Sequence, residues 1–208
     1  RKIWFDETVQ RLNVDKRGEL LGEFKPEDRL LIVNQKGIIK TIKPELSTHF
    51  DSDMIVLEKW VPEKPISVIY YDGDKEKYFV KRFMIDNPNK EEVFISEHPK
   101  SQLEIVATDY RPMAEVQFSK RNLEPILLNF EEFIAIKGIK AQGNQLTADK
   151  IKQVNMLEPL PYEAPVIENV EVNDEEVIDN SPESFDDDSD SENDSLSDEA
   201  GQIKLFYS

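Results

Sequence analysis

Ser67-Val68-Ile69-Tyr70-Tyr71-Asp72-Gly73-Asp74 leads, three residues on, into Tyr78-Phe79-Val80-Lys81-Arg82-Phe83-Met84-Ile85. The first run is β-branched and aromatic, and so is most of the second. Side chains of that kind suit a pleated, half-buried surface better than a helix. Between them lies Asp72-Gly73, a pair favoured in type I′ hairpin turns, where both central residues need positive φ. The stretch therefore predicts strand, tight turn, strand.

The same grammar recurs on both sides. Leu30-Leu31-Ile32-Val33 meets Asn34-Gln35-Lys36-Gly37 and then Ile38-Ile39-Lys40-Thr41-Ile42. Val93-Phe94-Ile95, Leu103-Glu104-Ile105-Val106-Ala107, Ala114-Glu115-Val116-Gln117-Phe118 and Phe133-Ile134-Ala135-Ile136 are further strand candidates. Turn residues separate such runs every ~8–12 positions, the spacing of sandwiches, barrels and propeller-like wheels. Only short helices are expected, near 43–48 and 147–153, with Thr147 as N-cap of the second. The class predicted is all-β. Hairpins at 29–43 and 67–85 and a unit near 133–146 repeat at roughly 40–60 residues, the range of four-stranded blades, giving about three blades.

The charge is divided unevenly along the 208 residues. Residues 158–208 contain 17 acids and one base, Lys204, whereas 1–157 contain 26 acids and 25 bases. The net charge of −17 thus belongs almost wholly to a tail, and the body is near neutral. Nine acids fall within 181–199, where only Phe185 and Leu196 are bulky and apolar. Such a segment cannot bury enough apolar surface to offset its ordering entropy, so it is expected to be disordered. Pro159, Pro161 and Pro165 mark a transition, and Gln202-Ile203-Lys204-Leu205-Phe206 turns apolar again, as a frayed end or a short docking segment. The expected domains are a body over 1–157 and an acidic tail over 158–208.

Other classes find little support. No apolar run approaches the roughly 20 residues of a membrane helix. Cysteine is absent, so neither disulfides nor thiolate metal sites arise. The chain opens Arg1-Lys2-Ile3-Trp4 without Met and reads as a piece of something longer. No Gly-rich phosphate loop, nucleophile elbow or His-assisted nucleophile occurs. His49 and His98 sit in different units. Asp51/Asp53 and Asp72/Asp74 have the alternate spacing of calcium loops but lack the twelve-residue pattern ending in Glu, and they read as turns. No catalytic residue, metal ligand or cofactor site is expected in this chain. Trp4, Trp60, Tyr70, Phe83 and Phe133 read as core.

The cations carry the functional reading. Lys36, Lys40 and Lys43 lie on one hairpin, Lys81 and Arg82 on another, and Lys137 and Lys140 on a third. Equivalent hairpins would align them into a track suited to phosphate, whose affinity for Lys and Arg comes largely from counterion release without base reading. Arg11, Lys16, Arg17 and Arg29 form a second group around Gly18, with Glu19, Glu23, Glu27 and Asp28 close enough in sequence to pair with them. The competing expectation is that strand cations are solvated residues that discourage edge pairing.

Several segments resemble the C-terminal domain of bacterial type IIA DNA topoisomerase A subunits, most closely the topoisomerase IV type. They are Arg1-Lys2-Ile3-Trp4-Phe5-Asp6, Arg11-Leu12-Asn13-Val14-Asp15-Lys16-Arg17-Gly18, Leu21-Gly22-Glu23-Phe24, Tyr78-Phe79-Val80-Lys81-Arg82-Phe83, Phe133-Ile134-Ala135-Ile136-Lys137-Gly138 and Gly143-Asn144-Gln145-Leu146-Thr147. The resemblance covers roughly residues 1–160 and rests on the order of the segments more than on any one of them. It implies a β-pinwheel of four-stranded blades that binds or bends double-stranded DNA, with this chain as the C-terminal half of the wheel. It also implies a parent enzyme whose cleavage chemistry, ATP and Mg²⁺ reside in other domains. The implied partners are the remainder of a homodimeric A subunit and an ATPase B subunit, on the chromosome in the bacterial cytoplasm. The glutamine-arginine-arginine-glycine box of gyrase-type subunits is missing, and Gln10-Arg11 and Lys16-Arg17-Gly18 only echo it. The alternative is a protein-interaction β-module without direct DNA contact.

Overall fold

The computed structural model describes residues 1–164. They form strands joined by turns, with one helical turn. β1 (Lys2–Asp6), β2 (Arg11–Asn13) and β3 (Glu19–Glu23) make the first sheet, in order β2-β1-β3. β4 (Leu30–Asn34), β5 (Ile38–Ile42) and β6 (Met54–Lys59) begin the second. β7 (Ile66–Asp72) and β8 (Lys77–Phe83) begin the third, and the chain then passes through β9 (Glu92–Val93) to β10 (Gln102–Ala107). β11 (Met113–Phe118) and β12 (Ile126–Asn129) open the fourth, followed by α1 (Phe130–Phe133), β13 (Asn144–Thr147) and β14 (Ile151–Leu157). The quoted hairpin is β7–β8, in register from Ile66↔Phe83 to Asp72↔Lys77.

One connection rule runs through all four sheets. The first strand is central and pairs antiparallel with the second and third. The fourth strand is lent by the next unit, after that unit's opening hairpin. β9, which follows β7–β8, returns to pair with β5, and β13, which follows α1, returns to pair with β8. The completed orders are β6-β4-β5-β9 and β10-β7-β8-β13. In the first sheet the lender is reduced to a bridge, Arg11↔His49, with Phe50 N–H donating to Gln10 O at 3.1 Å. The fourth sheet, β12-β11-β14, has no lender among the described residues. This strand exchange between four-stranded antiparallel blades is the β-pinwheel architecture, and no sheet closes on itself.

The cores sit between neighbouring blades. Ile3, Phe5, Leu12, Leu30 and Phe50 join the first to the second. Leu31, Val33, Val68, Tyr70, Phe83 and Phe94 join the second to the third, and Ile69, Val80, Ala114, Leu128 and Phe130 join the third to the fourth. Tyr70 and Phe83, read as core, are buried, whereas Trp4, Trp60 and Phe133 are half-buried. β4 and β8 are covered on both faces; the apolar run of β4 is continuous, whereas that of β8 is interrupted by the buried Lys81 and Arg82. β5 alternates strictly between buried and half-buried positions.

Some local expectations give way. Residues 43–48 form turns, with Thr48 N–H donating to Glu45 O at 3.1 Å. Residues 147–153 are not helical: Thr147 Oγ1 accepts from Asp149 N–H at 2.9 Å in a turn between β13 and β14. Pairing of β14 with β11 overrides the helix signal there. The expected strand 133–136 instead begins at the end of α1, which Asn129 caps by accepting from the amides of Glu131 (3.1 Å) and Glu132 (3.4 Å).

The Asp72-Gly73 turn is not type I′ either. Its loop spans four residues, with Glu76 rather than Gly73 at positive φ (54°). Asp72 Oδ1 holds the loop by accepting from the amides of Asp74 (3.0 Å) and Lys75 (3.3 Å). Gly73 is required by proximity, since a Cβ there would lie 2.2 Å from His98 Nδ1.

Beyond β14 the chain folds back on the body. Leu160 N–H donates to Arg111 O at 2.9 Å, and Tyr162 stacks on Tyr110 with centroids 3.9 Å apart. The expectations for 181–199 and 202–206 concern residues outside the described ones.

Candidate nucleic-acid interface

The exposed cations fall at turns and strand ends. Lys16 and Arg17 stand on a turn organised by Asn13, whose Oδ1 accepts from the amides of Asp15 and Arg17, each at 3.1 Å. The same side chain donates Nδ2–H to Arg17 O at 2.8 Å. Gly18 lets that turn press on β1, where a Cβ would lie 2.0 Å from Phe5 O. Arg17 pairs with Asp15 at 3.5 Å, and both are well exposed, so the pair is weak. Arg11 is exposed on β2, one register pair across from Asp6.

Lys36 is exposed at the tip of the β4–β5 turn, where Asn34 Oδ1 accepts its backbone N–H at 3.1 Å. Lys43, also exposed, follows β5 and shares a cleft of about 460 Å³ with Arg1, Lys25 and Glu45. Lys137 and Lys140 are exposed on the passage into β13. Their ammonium groups donate to Asn144 Oδ1 (3.2 Å) and Val93 O (2.9 Å). Among the described residues, Lys16, Lys36, Lys43, Lys137 and Lys140 have no carboxylate within ion-pair distance.

Three expected cations are placed differently. Lys40 is paired, its Nζ 3.0 Å from Glu91 Oε2 on the passage into β9. Lys81 is 3% exposed and Arg82 7%. Lys81 Nζ donates to the carbonyls of Phe94 and Ile139, the latter at 2.7 Å, and rests near the rings of Phe83 and Phe94. Arg82 donates to Tyr110 O at 2.7 Å. Both long side chains fill space between strands; Lys81 spends its donors on two backbone carbonyls, whereas Arg82 reaches one and its buried Nε has no hydrogen-bond partner among the described residues. The cause is tertiary: β13 itself pairs only with Tyr78–Val80, but the segment before it, where Lys137 N–H donates to Arg82 O at 2.8 Å, closes over these cations together with Phe94 and Tyr110.

Arg29 is likewise structural. It donates Nε–H to Thr41 Oγ1 (2.7 Å) and its Nη2 to the carbonyls of Thr41 and Pro88, both at 2.9 Å. Asp28, rather than pairing with Arg29, lies 2.6 Å from Lys59.

The second and third blades meet at a cavity of about 350 Å³ lined by Lys75, Lys81, Lys140, Asp72, Asp74 and Gln142, among others. Burial, then the nearby charge of Lys140, lowers the Lys81 ammonium to about 8. Burial acts to raise Asp72, but the amides of Lys75 and Asp74 and the side chains of Gln142 and Ser96 outweigh it and hold it below the ordinary value. Burial lowers Arg82 as well, against the opposing charge of Glu131.

Cations missed at first fall in the same topological place. Lys75 occupies the β7–β8 turn, and Lys120 and Arg121 the β11–β12 turn, as Lys36 occupies β4–β5. Aligning the opening hairpins by their turns rather than their second strands would have exposed this series. Lys75 donates to Gln142 Oε1 at 2.6 Å, and Lys120 pairs with Asp149 at 2.5 Å. His49 forms the lending bridge to Arg11, and His98 packs on Gly73.

Residues 11–158 match the family described as topoisomerase C-terminal domain, Bacteroidota. The chain belongs to that family. The matched region of this topoisomerase C-terminal domain runs from β2 to just past β14, and so includes both complete strand exchanges. No curated protein matches it.

Proposed function

We propose that the chain is the non-catalytic DNA-binding and DNA-bending domain of a type IIA topoisomerase A subunit. It presents duplex to the cleavage core for relaxation and decatenation. The observation that carries this reading is the recurrence of exposed cations without carboxylate partners on successive blades: Lys16, Lys36, Lys43, Lys137 and Lys140. Dispersed phosphate contacts of this kind supply affinity without reading sequence. They can also offset the roughly 1–6 kcal/mol needed to bend a 20–30 bp site. The missing gyrase-type box favours a topoisomerase IV parent. Cleavage residues, ATP and Mg²⁺ belong, on this reading, to the other domains of a homodimeric A subunit and its ATPase B partner, acting on the chromosome in the bacterial cytoplasm. Residues 165–208, with 15 acids and one lysine, are a tethered polyanion that lowers DNA affinity by competing with phosphate.

The test is a quadruple charge reversal, Lys36→Glu, Lys43→Glu, Lys137→Glu and Lys140→Glu, assayed on a duplex of about 30 bp across a salt series. Loss of four phosphate contacts should flatten the log–log salt slope by about 3–4. Unchanged affinity and slope would sink the DNA reading. Removing 165–208 should tighten binding most at low salt, and no change there would remove the tail from the account.

A further inference from the structure

Three blades have the outer edge of their second strand covered by an extended segment running antiparallel to it: β5 by β9, β8 by β13, and β2 by the bridge at His49. In two of them the covering residue is the same. Phe50 N–H donates to Gln10 O (3.1 Å) and Phe94 N–H to Gly37 O (2.9 Å), in each case the carbonyl just before the second strand. Both phenylalanines are buried, 5.6 Å from Phe5 and 5.2 Å from Phe83 respectively between ring centroids.

The fourth blade departs from this. β12 pairs with β11 on one side only, and among the described residues its other edge makes no backbone hydrogen bond. Leu127, at its middle, is 66% exposed, the most exposed large apolar side chain of the described residues. The carbonyl equivalent to those of Gln10 and Gly37 belongs to Pro125. Arg121, in the turn leading into β12, is exposed and makes no ion pair among the described residues.

We propose that the free edge of β12 is a docking site for a short extended segment of a partner protein, added antiparallel as a fourth strand. The segment carries a bulky apolar residue, phenylalanine by precedent, whose N–H reaches Pro125 O. An acidic residue follows it and complements Arg121. Main-chain bonds supply the affinity and the single apolar side chain the selectivity, as in other strand additions. An uncovered edge is otherwise an aggregation hazard that folded proteins cover or blunt with charge, and β12, Ile126-Leu127-Leu128-Asn129, has no charge to do so.

The probe is a labelled peptide copying Lys90–Glu97, which holds Val93-Phe94 and ends on an acid. It is added to the full chain, and binding is read together with hydrogen exchange. Saturable binding is expected, with exchange of the outward-facing Leu127 and Asn129 amides slowed at least about tenfold. A Phe94→Ser peptide, or a Leu127→Lys chain with an unchanged unfolding midpoint, should lose both effects. Absence of added protection at Leu127 and Asn129 at saturating peptide overturns the proposal. So does a concentration-dependent dimer dissolved by Leu127→Lys, which would make a second copy the occupant. Full protection of these amides in the free monomer also overturns it, because the edge is then already covered.

Discussion

Lys81 shows how a residue's surroundings decide its task. Its ammonium ties β8 to the carbonyls of Phe94 and Ile139, on the passages that carry lent strands. The folded state binds its proton less tightly than the unfolded chain, about 8 against the ordinary 10.5. The unfolded chain therefore holds more protons between those values, and stability rises with pH across that window. Below about pH 8 both states are protonated and the cost of the buried charge is present in full. Denaturant titrations at pH 7.5, 9 and 10 should show this rise, and Lys81→Met should flatten it; an identical profile in the variant would mean that Lys81 is not its source. Asp72 is the complementary case. Its carboxylate joins its own turn to Ser96 (3.2 Å) and Gln142 (3.1 Å), so three segments depend on one side chain. Asp72→Ala should cost roughly 1–3 kcal/mol in chemical denaturation by leaving these groups unpaired. A loss below about 0.5 kcal/mol would show that water replaces it.

At the scale of elements, the strand exchange depends on how closely lent strands approach. Gly143 precedes β13 with φ 92°, and a Cβ there would lie 2.1 Å from Val80 O. Gly143→Ala combines a strained φ with a backbone clash, so it should destabilise by more than about 1 kcal/mol and loosen the β13–β8 pairing first. Faster amide exchange at 144–147 than in β7 would report that detachment; uniform loss across both strands would mean that the blade unfolds as one unit. The hairpins were legible because two apolar runs flanking turn residues need only local information. β9 was legible only as the strand candidate Val93-Phe94-Ile95, and Glu92–Val93 is too short to show which strand it pairs with. The lending relation was not legible, since β13 lies about 60 residues beyond the strand it covers. The 147–153 helix failed for the same reason: Thr147 is a sound N-cap locally, but β11 had an edge to pair.

On the scale of the whole molecule, charge and burial divide the cations. Lys16, Lys36, Lys43, Lys137 and Lys140 face solvent with no carboxylate partner among the described residues, whereas Lys40, Lys81 and Arg82 on second strands are taken up by Glu91 and by backbone carbonyls. The root of the acidic segment is fixed as well. Arg111 donates to Pro161 O at 2.8 Å and pairs with Glu131 at 2.6 Å, while Tyr162 covers Tyr110. Tyr162→Ala should leave the interblade cores intact and lower the unfolding free energy by no more than about 1.5 kcal/mol. It should also speed exchange of the Leu160 amide, and unchanged exchange there would show that the proline-rich turn holds without the stack.

What the sequence determined by itself was the all-β class, the hairpins, the split between a near-neutral body and an acidic tail, and the family resemblance. Each rests on short-range pattern or composition, which residue order preserves. Only the tertiary structure decided which cations face solvent, which strand covers which edge, and that β12 has no covering strand among the described residues. Those outcomes depend on pairing between residues far apart in the chain, and no local period encodes where such a partner comes from.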